Sequence, residues 1–141
     1  MTPEQVKLVQ QSFAQVAPIA DEAADLFYDR LFESAPGVRP LFPDDMAEQK
    51  KKLMQMLATA VANLHRVDEI LPALEDLGRR HVDYGTRSEH YDTVGEALLW
   101  TLEQDLGEAF TPEVEEAWTK TYTMIAEVMK AAAAELAVAE R

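Results

Sequence analysis

Cysteine is absent from all 141 residues, so the chain can form no disulfide, no thiolate metal site and no thioether-linked cofactor. A transition metal would have to be held by His, Met, Tyr, Asp, Glu or Lys. Histidine is itself scarce, at three. Basic residues are outnumbered, 13 against 26 acidic ones, for a formal net charge of -13. Such a field repels a phosphate backbone, so nucleic acid and an anionic membrane are poor candidates as partners. Long hydrophobic runs are also missing, and nothing approaches the roughly 18 uncharged apolar residues of a membrane helix. The opening MTPEQVKLVQQSFAQVAPIA lacks the basic start and unbroken apolar stretch of a signal peptide. These absences predict a cytoplasmic protein. There is no Gly-rich phosphate loop, GxSxG elbow, HExxH pair or DxDxDG calcium loop, which removes motif support from ordinary hydrolase and nucleotide-binding readings.

What remains is a chain with 48% hydrophobic and 28% charged residues, the balance of a globular protein, without repeats or low-complexity tracts. Its length suits one domain, residues 1–141. Thr2-Pro3-Glu4-Gln5 reads as an N-cap, a first-position proline and a capping-box glutamine. Val6, Val9, Phe13 and Val16 follow at helical spacing, to a stop near Pro18. A second helix is expected over about Ile19 to Ser34, with Ala24, Phe27, Tyr28, Leu31 and Phe32 on one side, before Pro36-Gly37. The proline-rich GVRPLFPDD predicts a short helical turn and a loop presenting Phe42.

A third long helix is predicted from about Met46 to Leu64, with Leu53, Leu57, Ala60, Val61 and Leu64 inside and Gln49 one turn before Leu53. The next spans about Asp68 to Tyr84, and its stripe of Ile70, Leu74, Leu77, His81 and Tyr84 turns His81 inward. The last two cover about Glu89 to Gly107, burying Tyr91, Val94, Leu98 and Leu102, and Thr111-Pro112 to about Leu136, burying Val114, Trp118, Ile125 and Met129. No segment alternates like a strand. The chain is therefore expected to be all-α with short connections.

Tyr28, Gln49 and His81 are polar residues on otherwise apolar faces. Each is open to two readings: a buried Tyr or His often satisfies itself on a backbone carbonyl and a helix-end Gln often faces water, but the three also suit a ligand site. Lys50-Lys51-Lys52 follows Gln49, and Arg79-Arg80 precedes His81. In so acidic a chain these runs are either two rims of a pocket for an anionic ligand or a pair of solvated helix faces. His65 and His90, at a helix end and a helix start, are expected to be exposed.

The stretches LFYDRLFESAPGVRPLF, QKKKLMQ, LEDLGRRHVDYG, HYDTVGEALLWTL and EEAWTKTYTMIAEVM together resemble the globin family over nearly the whole chain. The nearest likeness is to bacterial single-domain globins and the globin part of flavohaemoglobins. The resemblance implies a three-over-three helical sandwich around a haem b, with His81 as the proximal iron ligand. It implies that Phe42 packs on the porphyrin face, and that Tyr28 and Gln49 form a distal pair of high O₂ affinity. Leu53 then lines the distal cavity, Val94 and Tyr84 touch the cofactor, and Lys52 and Arg80 pair with its propionates.

The same likeness makes Tyr91 the residue beside the proximal histidine that, in flavohaemoglobins, works with a last-helix glutamate. Counting from Trp118, Ala133 stands at that glutamate's place, and Glu135 lies two residues on, about 200° around the helix. The resemblance therefore does not extend to the proximal push that favours oxygen activation. The leading expectation is reversible binding of O₂, NO and CO. The enzyme alternative is nitric oxide dioxygenation with a separate reductase, since 141 residues leave no room for a flavin domain. A third reading is a signalling module of the same fold without haem, which would not need His81. Pigment-binding relatives would need a cysteine. Met54, Gln49 and Tyr28 leave open an internal sixth ligand.

Overall fold

The computed structural model describes residues 1–83 and 86–139. Tyr84 therefore lies outside the described residues, and the expectation attached to it is not carried into the geometry below. Six α-helices account for most of the described chain: α1 (Pro3–Val16), α2 (Ala20–Ser34), α3 (Ala47–Ala62), α4 (Leu71–Asp83), α5 (Ser88–Leu106) and α6 (Pro112–Ala139). No strand occurs among the described residues.

The capping box forms as its sequence predicts. Thr2 Oγ1 accepts the Gln5 amide at 3.1 Å, and Gln5 Oε1 accepts the Thr2 amide at 3.0 Å, satisfying two of the donors that a helix start leaves open. Other boundaries differ from expectation for backbone reasons. Pro18 does not end the first helix in a plain break; a 3₁₀ turn over Ala17–Ile19 leads into α2. The helix expected from Asp68 starts instead at Leu71, after a 3₁₀ stretch over Leu64–Glu69. Pro72 explains the delay, because a residue without an amide hydrogen fits only the first turn of a helix. At the far end of α5, Gly107 adopts φ +55, which a side-chain-bearing residue enters only at a cost, and the helix stops there.

α6 makes the broadest contacts, along α4 and α1, while α2 lies along α5 and also meets α3. The apolar stripes converge on two clusters. The larger includes Phe13, Phe27, Leu31, Leu57, Leu98 and Trp118, drawn from every helix but α4. The smaller joins Ile70, Leu74, Tyr91, Ile125 and Met129. Each fully buried side chain of this kind contributes about 1.5–3 kcal/mol. Trp118, 1% exposed, also donates its indole N–H to Ser12 Oγ at 2.8 Å, so α1 and α6 are fixed in register by a polar bond inside the core.

α3 and α4, by contrast, share no extensive contact among the described residues. Side chains that their stripes aim inward stay half-buried: Gln49 and Leu53 on α3, Leu77 and His81 on α4, with Val94 of α5 and Phe42 of the corner loop. α4 is held from behind instead. A Cβ on Gly78 would collide with the Met129 backbone, so glycine permits a helix-to-helix approach that no other residue allows.

Candidate functional site

Tyr28 sits in the middle of α2 at 3% exposure, amid aromatic rings. Phe27 meets it edge-on with centroids 4.9 Å apart, Phe32 at 5.8 Å and Phe42 at 5.6 Å. These contacts fix the ring, and its hydroxyl meets the amide of Gln49, whose Nε2 donates to the Tyr28 oxygen at 3.2 Å. Since the phenol accepts this bond, its own proton remains to be given, and no described residue receives it. Burial holds the Tyr28 pKa above its ordinary value, against the opposing pull of the Gln49 bond, so the hydroxyl stays protonated at neutral pH. The two residues that the sequence marks as polar on apolar faces of α2 and α3 are thus one donor pair.

His81 lies three residues beyond Gly78 on α4, half-buried, with its ring 6.4 Å from that of Tyr91. Its Nδ1 is 2.7 Å from the Leu77 carbonyl. A carbonyl can only accept, so Nδ1 carries the hydrogen, which leaves the lone pair of the neutral ring on Nε2. Burial pushes the His81 pKa below the usual histidine range, the Leu77 bond opposes this, and the Arg80 charge adds to the lowering. The imidazole is therefore neutral at pH 7, the form that coordinates a metal. Among the described residues, no group of three or more His, Asp or Glu side chains could hold a bare metal ion. An imidazole outside such a cluster suits a metal that brings its other ligands with it.

Leu53 packs on the larger cluster along with Met54, Phe42 and Val94. It also borders a small cavity lined almost wholly by apolar groups, among them Phe27, Leu57, Leu98, Leu102 and Trp118. Lys50 reaches back to Asp25 of α2 at 2.8 Å, Lys52 is exposed, and Arg80 pairs along its own helix with Asp76 at 2.8 Å.

On the α6 side, Tyr91 is buried, and its pKa is raised by that burial. Lys130 places its ammonium 5.4 Å from the Tyr91 ring centre, and Tyr122 donates its hydroxyl to the Tyr91 carbonyl. Ala133 borders the same hollow as Gly78, Tyr91 and Lys130, while Glu135 is exposed. Among the described residues that line this hollow, none is a carboxylate. Of the remaining histidines, His65 is exposed as expected, but His90 is half-buried and accepts the Arg87 amide at 2.9 Å, capping α5. Its position three residues into that helix, a usual capping site, was the available signal.

Arg39, Tyr122 and Lys130 are absent from the sequence reading. Tyr122 was findable, since it continues the spacing of Trp118, Ile125 and Met129 on α6. Arg39 and Lys130 follow no periodicity, and only the folded neighbours reveal them.

The pattern that defines the family described as Globin matches residues 25–129. The chain is 36% identical over 106 residues to a flavohemoprotein of Bacillus subtilis, covering 72% of this chain and 26% of that one. A flavohemoprotein of Rhizobium meliloti is 34% identical over 115 residues, covering 78% and 28%. The chain spans about a quarter of the length of these curated relatives. A bacterial globin from Campylobacter jejuni superposes with a TM-score of 0.85 at 23% identity, covering 96% of this chain and 98% of that one. An engineered carbene transferase, made from a candidate nitric oxide dioxygenase of Rhodothermus marinus, gives 0.90 at 22%, covering 100% and 99%. At such identities the structures speak for the fold, an all-α globin fold.

Proposed function

The chain belongs to the globin family, and from that premise we propose that it holds a haem b beside α3 and α4 and reversibly binds O₂, NO and CO. A haem supplies an iron that binds diatomic gases; the protein supplies everything around it. His81 would give Nε2 to the iron, in the tautomer set by the Leu77 carbonyl. Phe42, Leu53 and Val94 are half-buried hydrophobic groups that a flat apolar cofactor would cover. Lys52, Arg80 and Tyr84 are proposed for its polar edge. Arg80 would exchange Asp76 for a propionate, at small cost because an exposed pair is worth under about 1 kcal/mol.

The observation that carries the reading is the Tyr28 hydroxyl, buried, braced by Gln49 and with its proton still to donate. A diatomic ligand that gains partial negative charge on binding would be met by two donors, each worth about 1.5–3 kcal/mol. Together they would slow release by about a hundredfold to ten-thousandfold. Such a chain keeps O₂ tightly and is ill suited to routine delivery.

Nitric oxide dioxygenation with a separate reductase is the second reading, favoured by the names of the similar proteins. Tyr28 and Gln49 serve it equally. Ala133, in a hollow whose described residues include a lysine and no carboxylate, argues for binding over oxygen activation.

The test is to add haem to the purified chain and record the ferrous absorption spectrum under nitrogen, then under O₂. One broad visible band that splits into two with O₂ supports His81 coordination and gas binding. Failure to take up haem would overturn the proposal in favour of the haem-free signalling reading.

A further inference from the structure

Three successive backbone carbonyls follow Phe42 through the corner between α2 and α3. Residues 42–46 belong to no helix, so these carbonyls have no partner of their own. Arg39, from the 3₁₀ turn Pro36–Leu41, meets all three. Its Nη1 donates to Pro43 O at 2.9 Å and, more loosely, to Phe42 O at 3.4 Å, and its Nη2 donates to Asp44 O at 3.2 Å. The same guanidinium lies over the Phe32 ring, 5.0 Å from its centre. Phe32 and Phe42 are in turn 5.4 Å apart, and both touch Tyr28.

We propose that Arg39 is the positioning residue that presents Phe42 and Gln49 to Tyr28. The loop that it clips has two ends with consequences. At one end is the Phe42 ring, edge-on to Tyr28. At the other is the start of α3, where Asp45 Oδ1 accepts the Ala47 amide at 3.0 Å and Gln49 follows within the first turn. A segment containing Pro40 and Pro43 has few amides with which to hold itself, so a planar fork of donors substitutes for the missing backbone bonds. Stacking on Phe32 ties that fork to α2, the helix that carries Tyr28. Lysine could not replace it, since a single ammonium cannot lie flat on Phe32 and reach across three carbonyls.

The inference rests on the gas-binding reading of Tyr28 and Gln49, and its test separates the two. The full chain is loaded with haem and CO, and the C–O stretching band, which responds to donors beside the ligand, is recorded for Arg39→Lys, Arg39→Ala and Tyr28→Phe. The O₂ dissociation rate of each variant and the amide exchange of residues 42–49 in the haem-free chain complete the set. Expected are a shifted or split band and an O₂ rate about tenfold faster in Arg39→Ala, with Arg39→Lys failing to restore either. Amide exchange over the corner should quicken in both. If Tyr28→Phe moves the band while both Arg39 variants keep the parent's band and rate, Arg39 is only a stabilising residue and the proposal is overturned. Full rescue by lysine would overturn it too, because charge alone would then suffice. If Tyr28→Phe itself changes nothing, the gas-pocket reading fails and takes this inference with it. Should Arg39→Ala not fold, Arg39→Lys decides the matter alone.

Discussion

Gly78 of α4 lies directly against the backbone of Met129 of α6, with no room for a β-carbon between them. The contact sets how closely α4 approaches its neighbour, and His81 stands three residues further along the same helix. Alanine would gain about 1 kcal/mol of helix propensity, but it must push two backbones apart, at a cost of about 1–3 kcal/mol or more. Gly78→Ala should therefore lower the melting temperature of the haem-free chain and also speed loss of added haem. An unchanged melting temperature would show that the helices separate freely and that this contact does not place His81.

Tyr28→Phe removes the hydroxyl but keeps the ring packed on Phe27, Phe32 and Phe42. Loss of one donor to a partly charged ligand should raise the O₂ dissociation rate by about tenfold or more in stopped-flow measurement. Gln49 would remain as the weaker donor. A rate equal to that of the parent would remove Tyr28 from the site.

His81→Ala should cost the chain its tight retention of haem, followed by transfer of the cofactor to an acceptor protein. Added imidazole should restore the spectrum in part, since it can enter the space left by the ring and offer the same nitrogen. A variant whose spectrum matches the parent without imidazole would sink the assignment of His81.

Asp105, near the end of α5, has a carboxylate oxygen that is buried without a hydrogen-bond partner. Burial first, and the Glu22 charge second, raise its pKa above the ordinary aspartate value. A raised folded-state pKa means that the protonated form is the one the fold prefers. Stability from this group is complete below the unfolded aspartate pKa, and it is lost as pH rises through the folded value. Asp105→Asn should thus melt higher than the parent at pH 7, by about 1–3 °C given how exposed the group remains. The gap should close as pH falls towards about 4. A gap that is constant with pH would mean that the change acts through packing rather than charge.

Much of the arrangement could be read along the chain. Helical spacing located six helices because apolar stripes at three- and four-residue steps have no other stable use. It also turned His81 inward and put Gln49 on the same side as Leu53. The misplaced starts came from segments where one residue outweighs the pattern: Pro72 delays α4, and Leu64, Val67 and Ile70 keep helical spacing through a stretch that winds as 3₁₀. Periodicity reports which residues seek the interior, but it does not distinguish one kind of helical turn from another.

The residues alone determined the all-α class, the exclusion of thiolate chemistry, and the candidates Tyr28, Gln49 and His81, because each follows from composition or from spacing within one helix. Only the tertiary structure decided that Gln49 bonds to Tyr28, that the Leu77 carbonyl sets the His81 tautomer, and that Arg39 clips the Phe42 corner. It also placed the Lys130 ammonium over the Tyr91 ring and Ala133 in the same hollow. The bond at His81 lies within one turn, but the neutral form of the ring depends on the burial supplied by neighbouring helices. The other relationships join residues brought together by turns and packing, and a hydrogen bond or a ring contact depends on tenths of an ångström that no single helix's pattern contains.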